Sequence, residues 1–498
     1  MKTKISILKI ILVVLFGTTL QGHAINPKRE FRGSWLHTVG QNHFAGRTTE
    51  ENKSYLTEQL DLMEQAGINA VIFQVRCCSD AFYDSKIEPW STYLTGKIGQ
   101  EPESYWDPLE FMIAECHQRG MELHAWLNPY RSFNIKDTIP ASHITQTHPE
   151  RFVVFNERYY FDPGQPENRE YICGIVADIL DRYDVDAIHM DDYFYPYPVK
   201  GKVFNDSKSF KTYGNGKGLN DWRRENVNLL ISDLSQVIHS MKPWVRFGIS
   251  PFGIWRNKAS DPDGSETNGL QNYDDLYADV ILWAKEGWID YQVPQLYWEL
   301  GHKRAPSGVL ADWWNDHTFG RHLYIGQDAK VCMDHDELDT KITMSRLLDN
   351  IQGNVWWPSV IVTSNYKDIN DALRKGAQST KALTPLYPWL SGGDILFEPD
   401  APTNLRIKDG NELTWKAPIM ASETPSVNDI AGFVVYKLDS PFLEEGTDNP
   451  ENIVAIVRGS NSVKIPSTIV SGTWLTVSSF DRLNNESQPS EPILFTID

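Results

Sequence analysis

Cysteine is scarce: the 498 residues hold five, Cys77, Cys78, Cys116, Cys173 and Cys332. An odd number at these spacings argues against a disulfide framework, and the lack of any CxxC pair argues against zinc. Buried thiols are the expectation. Basic charge is also short, with 47 Lys and Arg against 66 Asp and Glu, a formal net charge of −19. That balance argues against nucleic acid and anionic membrane surfaces as partners. No apolar run is long enough to span a bilayer. No GxGxxG follows a first strand, so a dinucleotide-binding sheet is not expected. Nothing in the sequence calls for a cofactor or a metal; Asp261-Pro262-Asp263-Gly264 lacks the further spaced ligands of a calcium loop and reads as a turn.

What is abundant is aromatic: Trp 17 and Tyr 21. Such rings stack on flat faces, although most of them belong to a core. At the N-terminus, Lys2, Lys4 and Lys9 precede an apolar run from Ile10 to Phe16, then Gly22-His23-Ala24. A basic start, a short apolar core and a small-x-small end read as a secretory signal peptide over residues 1–24. The expectation is an exported chain, periplasmic or extracellular, with an uncut anchor as the alternative. Loss of the three lysines makes the mature chain more acidic still. The length suggests two or three domains.

The middle of the chain repeats one unit: a helix, a glycine turn, an apolar strand. Thr48 and Glu51 form a capping box ahead of Leu56, Leu60 and Met63; Gly67 ends that helix and Ala70 to Arg76 follow as a strand. Asp107-Pro108 starts the next helix, and Glu122 to Asn128 form its strand. Further strands are expected at Ala187 to Met190, Arg246 to Ser250, Tyr291 to Leu296, Leu323 to Gly326 and Val355 to Trp357. With Phe31 to Leu36 in front, that makes eight. Strands alternating with helices imply parallel pairing and covered faces. The fold expected over residues 28–380 is an α/β (β/α)8 TIM barrel, with an open doubly wound sheet as the alternative. In such a barrel the active site gathers at the C-terminal ends of the strands.

Those ends form a chemically coherent set. They carry His37; Gln74 and Arg76; Asn128, Tyr130 and Arg131; Asp191, Asp192 and Tyr193; Ser250 and Trp255; Gln295, Tyr297, Trp298 and Glu299; and Trp356 beside Trp357. Donors, acids and flat rings in one place suit a poly- or oligosaccharide. Asp191 and Asp192 carry the most information, because ionised carboxylates ending a buried strand do not help packing. Glycoside cleavage needs two carboxyl groups with separate tasks, one protonated and one ionised. Neighbours on a strand point to opposite faces. One of the two is therefore expected to face the cavity, Asp192 by preference, with Glu299 as the partner acid. Arg76 or Arg131 would hold an Asp ionised. Of Trp356 and Trp357, one at most faces the cavity, and Trp356 is chosen.

The motifs Phe31-Arg32-Gly33-Ser34-Trp35, Phe73-Gln74-Val75-Arg76, His124 to Arg131, His189-Met190-Asp191-Asp192-Tyr193-Phe194-Tyr195-Pro196, Gly248 to Phe252 and Pro294 to Trp298 together resemble the bacterial glycosyl-hydrolase-like family 10. The resemblance covers about residues 28 to 380. It implies a barrel and hydrolysis of glycosidic bonds, in some relatives on cell-wall glycan strands. Cys77-Cys78 departs from that pattern. The competing reading is a barrel that binds glycan without cutting it. A metal-dependent deacetylase is a third, weakened because His189 falls too early in its strand.

Prolines and glycines mark a linker over residues 381–400. Short alternating segments beyond it, at Leu413 to Trp415, Gly432 to Tyr436, Ile453 to Val457 and Trp474 to Val477, suit a small all-β immunoglobulin-like sandwich over 401–498. It resembles a fibronectin type III module, departing at Leu475 where a corner tyrosine is expected. A spacer or docking role follows.

Overall fold

The computed structural model describes residues 26–40, 43–392, 398–419, 424–442 and 446–496. The expected signal peptide lies outside these residues. Eight parallel strands close into a barrel: β1 (Phe31–Leu36), β2 (Ala70–Arg76), β3 (Glu122–Leu127), β4 (Ala187–Met190), β5 (Arg246–Ile249), β6 (Tyr291–Gln292), β7 (His322–Asp328) and β8 (Ile351–Trp357). Each pairs with its sequence neighbours, and β8 returns to β1. β1 to β6 are buried along their whole length, as parallel strands covered on both faces must be.

Local chemistry explains the elements. The helix Thr49–Gln65 begins with the expected capping box; the Glu51 carboxylate accepts from the Thr48 N–H at 2.8 Å. Asp107 caps Pro108–Gln118 by accepting from the Leu109 and Glu110 N–H groups. β6 is shorter than expected because Pro294 has no N–H for the ladder. Pairing resumes at Gln295 as single bridges to Phe252 and Gly326.

Alternation sorts the strand side chains into two layers. Phe31, Trp35, Ile72, Trp126, Ala187, Tyr291, Val293, Tyr324 and Val355 fill the barrel. Val71, Phe73, Leu123, Ala125, Ile188, Met190, Phe247 and Ile249 face the helices. An antiparallel sheet of Arg131–Asn134, Phe152–Phe155 and Arg158–Phe161 is inserted after β3; the repeat pattern gave no sign of it.

The C-terminal region forms two antiparallel sheets, of three and four strands. Between them lie Leu413, Trp415, Phe433, Val435, Leu475 and Val477. Of the segment read as a linker, residues 381–392 run along the barrel's lower end. Tyr387 is buried there, and its hydroxyl meets that of Tyr324 at 2.6 Å. Leu383 packs with Val434, Tyr436 and Phe480. Gly120 (φ +72°) lets the sandwich come close, since a Cβ there would lie 2.5 Å from the Ile456 carbonyl oxygen. The C-terminal region is seated on the barrel, not swung from it.

Candidate active site

The C-terminal strand ends surround a cleft of about 450 Å³. β1 contributes Trp35, with His37 and Val39 just beyond it. β2 adds Gln74, β3 adds Trp126 with Arg131 beyond, and β4 leads into Asp191 and Tyr193. Ser250 follows β5, Gln295 and Tyr297 follow β6, and β8 supplies Trp357.

Asp191 is set by strand parity. Ala187 faces the barrel interior, so His189 and Asp191 do too. The Asp191 carboxylate accepts from Asn128 Nδ2 at 2.5 Å, from Trp126 Nε1 at 3.1 Å and from the Tyr193 N–H at 3.2 Å. That last bond turns the chain as it leaves the strand. Asn128 is itself held from behind. Gln74 Nε2 and Arg131 Nη2 donate to its Oδ1 at 2.7 and 2.9 Å. Gln74 Oε1 accepts from the Thr38 and Val39 N–H groups. One relay therefore ties the exits of β1, β2 and β3 to the acid at the end of β4. The Arg131 guanidinium lies 5.2 Å from the centroid of the Tyr193 ring.

Asp192 is 2 % exposed and sits beside the cleft wall, whereas Asp191 forms part of that wall. Gln295 Nε2 donates to Asp192 Oδ1 at 3.1 Å, and the Tyr197 hydroxyl donates to Oδ2. The two acids differ electrostatically. Burial pushes both carboxyls up, but Arg131, Asn128 and Tyr193 oppose the rise at Asp191. At Asp192 burial is reinforced by the Asp191 charge, and its pKa is pushed up to about 7. One acid is thus surrounded by donors that favour the anion, and the other is poised to carry a proton near neutrality. His37, against Trp357 at 4.8 Å between ring centroids, is lowered to about 4 by burial and by His43, so it is neutral.

Of the residues expected at the site, His37, Gln74, Arg131, Asp191, Tyr193, Gln295 and Tyr297 line the cleft, and Asn128 and Asp192 stand directly behind it. Six fall elsewhere. Arg76 is buried against Glu88, with two bonds of 2.7 Å; it also donates to the Asn128 and Pro129 carbonyls, fixing the β3 exit from outside. Tyr130 belongs to the helix-side core. Trp255 stacks on Trp313, and Trp298 packs on Phe252 and His302. Glu299 lies on the loop beyond and does not line the cleft. Trp356 is fully buried toward the helices; its neighbour Trp357 is the cleft ring. Ser250, named among the strand ends, also lines the cleft; the cleft residues missed from sequence were Trp35, Val39 and Trp126, with Trp357 passed over for its neighbour. Parity would have found three of them: Trp35 follows Phe31, Trp126 follows His124, and Trp357 follows Val355, each on the inner face.

A larger hollow of about 680 Å³ lies on the flank between the loops after β2 and β3. The one carboxylate lining it, Glu88, is paired with Arg76. Among the described residues no three His, Cys, Asp or Glu side chains are grouped to hold a metal ion. No described helix is long and apolar enough to cross a membrane.

Residues 30–342 match the family described as glycosyl hydrolase-like 10. The chain is 37 % identical over 489 residues, 93 % of each chain, to "Glycosyl hydrolase YngK" of Bacillus subtilis. It is 41 % identical over 321 residues to "Glycosyl hydrolase DigH" of Escherichia coli, covering 59 % of this chain and 72 % of that one. Among solved structures, the glycoside hydrolase domain of PgaB from Bordetella bronchiseptica aligns with 70 % of this chain and 98 % of its own, at a TM-score of 0.47 and 11 % identity. The family match over residues 30–342 and the Bacillus subtilis relative give one conclusion: the chain belongs to the glycosyl hydrolase-like 10 family.

Proposed function

We propose that the chain is an exported glycoside hydrolase that cuts a bacterial cell-wall glycan at this cleft. The carrying observation is the Asp191–Asp192 pair, adjacent in sequence and opposed in environment. Asp192, with a pKa near 7, serves as the general acid that protonates the leaving oxygen. Asp191, raised by burial but ringed by donors that oppose the rise, takes the ionised role. Asp191 is the only carboxylate among the residues lining the cleft, so no second acid stands opposite to act as nucleophile. That favours substrate assistance. The carbonyl oxygen of a 2-acetamido group attacks C1 while the leaving oxygen takes the Asp192 proton. Asp191 accepts the acetamido N–H and balances the charge of the cyclic intermediate. Water, deprotonated by Asp192, then reopens the ring. The rings of Trp35, Trp126, Tyr297 and Trp357 offer stacking faces.

The N-terminal lysines and apolar run support export, and the three-plus-four strand division supports a fibronectin type III-like reading of the C-terminal module. The deep seat of Asp192 favours a second reading, a barrel that holds glycan without cutting it. Product analysis on peptide-free glycan strands, N-acetylated and chemically de-N-acetylated, decides. Cutting of the acetylated strand alone is expected. Equal cutting of both removes the acetamido nucleophile, and binding with no cutting of either supports the second reading.

A further inference from the structure

A column of polar groups runs down the barrel axis beneath the cleft, in an interior otherwise filled by rings and aliphatics. Trp35 Nε1 lies 3.3 Å from His189 Nε2. His189 Nδ1 lies 3.0 Å from the Tyr291 hydroxyl, which lies 2.7 Å from His124 Nδ1. His124 Nε2 lies 3.0 Å from Glu122 Oε2. His189, Tyr291, His124 and Glu122 are all buried. Gly248 makes room for the middle link, since a Cβ there would fall 1.9 Å from Tyr291 Cζ.

The column has one direction. An indole N–H only donates, and a carboxylate only accepts. His189 must therefore accept at Nε2 and donate from Nδ1. Tyr291 passes the donation on, and His124 accepts at Nδ1 and donates from Nε2. With both ends fixed, every proton between them is fixed. Burial lowers both imidazoles, the direction that suits neutral rings in this one-way arrangement. Burial alone would raise Glu122, but Arg246 and His124 outweigh it and hold the carboxylate well below its usual range.

The lower end is completed from outside the barrel. Thr384 Oγ1 and Asn484 Nδ2 donate to Glu122 Oε1 at 2.7 and 3.3 Å. Arg458 Nη2 lies 3.6 Å from the same oxygen. Arg458 Nη1 also meets Asp186 at 2.6 Å. Asp186 directly precedes β4, the strand that ends in Asp191, and its carboxylate accepts from the Leu123 N–H of β3 at 2.8 Å. Without Arg458, two buried carboxylates share fewer counter-charges, an expensive arrangement.

We propose that the C-terminal module is a working part of the cleft: through Arg458 and Asn484 it anchors a one-way hydrogen-bond column, Glu122–His124–Tyr291–His189, that positions Trp35 in the cleft wall. These are positioning residues, and their effect on turnover rests on the hydrolase reading above. The Bacillus subtilis relative aligns over 93 % of this chain, too much to omit the module.

The test uses the full chain with 15N-labelled histidine and tryptophan. His189 is expected as the Nδ1–H tautomer and His124 as the Nε2–H tautomer, neither titrating between about pH 5 and 9. Tyr291→Phe keeps the ring and removes the link. It should release the His189 tautomer, shift the Trp35 indole N–H signal (assigned with Trp35→Phe) and lower kcat/KM about tenfold. Arg458→Met, which keeps the apolar stem, should shift the same indole signal from the far end. A wild-type His189 carrying its proton on Nε2, or charged, overturns the column whether or not glycan is cut. An indole signal unmoved in both variants overturns the positioning role. A wild-type chain with the expected tautomers and shifts but no cutting defeats the hydrolase reading and leaves the column standing. If Arg458→Met fails to fold, Asn484→Ala, which removes the module's other contact to Glu122, replaces it, and an indole signal that Asn484→Ala leaves unmoved overturns the module's part.

Discussion

The barrel holds a pair of buried acids at each end, and the two pairs are treated in opposite ways. Below, Glu122 and Asp186 meet Arg246, Arg458 and His117, and both are held under the usual carboxylate range despite burial. Above, Asp191 has Arg131 and neutral donors, Asp192 has neutral donors alone, and both are raised. Burial is common to all four, so it does not separate structure from chemistry. The supply of positive charge does. A compensated pair braces the fold; an under-compensated pair retains a proton that can be transferred.

The largest effect expected from this contrast is on turnover. Asp192→Asn should lower hydrolysis by about three orders of magnitude, the middle of the range for a lost general acid. Glycan affinity by calorimetry should hold, and stability should not fall. If the variant cuts at the wild-type rate, the upper pair is not catalytic. The lower pair should respond the other way. Glu122→Gln leaves Arg246 without its buried partner and should cost about 3–5 kcal/mol in urea unfolding; a loss under 1 kcal/mol would mean the network is not a brace.

Adjacent tryptophans sharpen the same division at β8. Trp356→Ala, in the helix-side core, should cost about 3–5 kcal/mol of stability. Trp357→Ala should instead raise KM about tenfold, the scale of one ring contact. Reversed outcomes would place the cleft on the other face of the strand.

Two opposite pH signatures should also appear. Asp192 has a raised folded pKa, so its contribution to stability is complete below about pH 4 and is lost as pH rises through about 7. Glycan cleavage should fall over the same upper range as the acid ionises, and Asp192→Asn should remove the stability step. Glu122 is depressed, so its contribution is present above about pH 4.3 and is lost as pH falls below that. The smallest effect belongs to Glu299→Gln, expected within about 0.5 kcal/mol and with turnover unchanged. A strong loss of activity would return Glu299 to the site.

The eight strands were legible because each is a short, largely apolar run set between amphipathic helices, three of which are stopped by a glycine, at Gly67, Gly120 and Gly287. The rim motifs were legible because polar residues that end buried strands have no packing use. Errors concentrated where two adjacent residues compete for one face. Asp192 was preferred over Asp191, and Trp356 over Trp357, although counting in twos from Ala187 and Val355 selects the other member. Arg76 was expected in the cleft; its partner Glu88 lies twelve residues on, in a loop with no periodic signal. Trp255 and Trp298 follow strand ends in sequence, but their loops carry them to Trp313 and Phe252. The inserted sheet at 131–161 breaks the repeat and has no counterpart in it.

Period and punctuation along the chain determine a ring of parallel strands, its chemically active end and the kind of side chains gathered there, because those signals are local. Which acid keeps its proton, which tryptophan meets the cleft and what the C-terminal module grips depend on charges and hydrogen-bond donors brought from distant positions. Arg131 beside Asp191, and Arg458 beside Asp186, become neighbours only when the barrel closes and the module docks. Electrostatic energy falls with distance through space, not along the chain, so that part of the protein was settled by its tertiary structure.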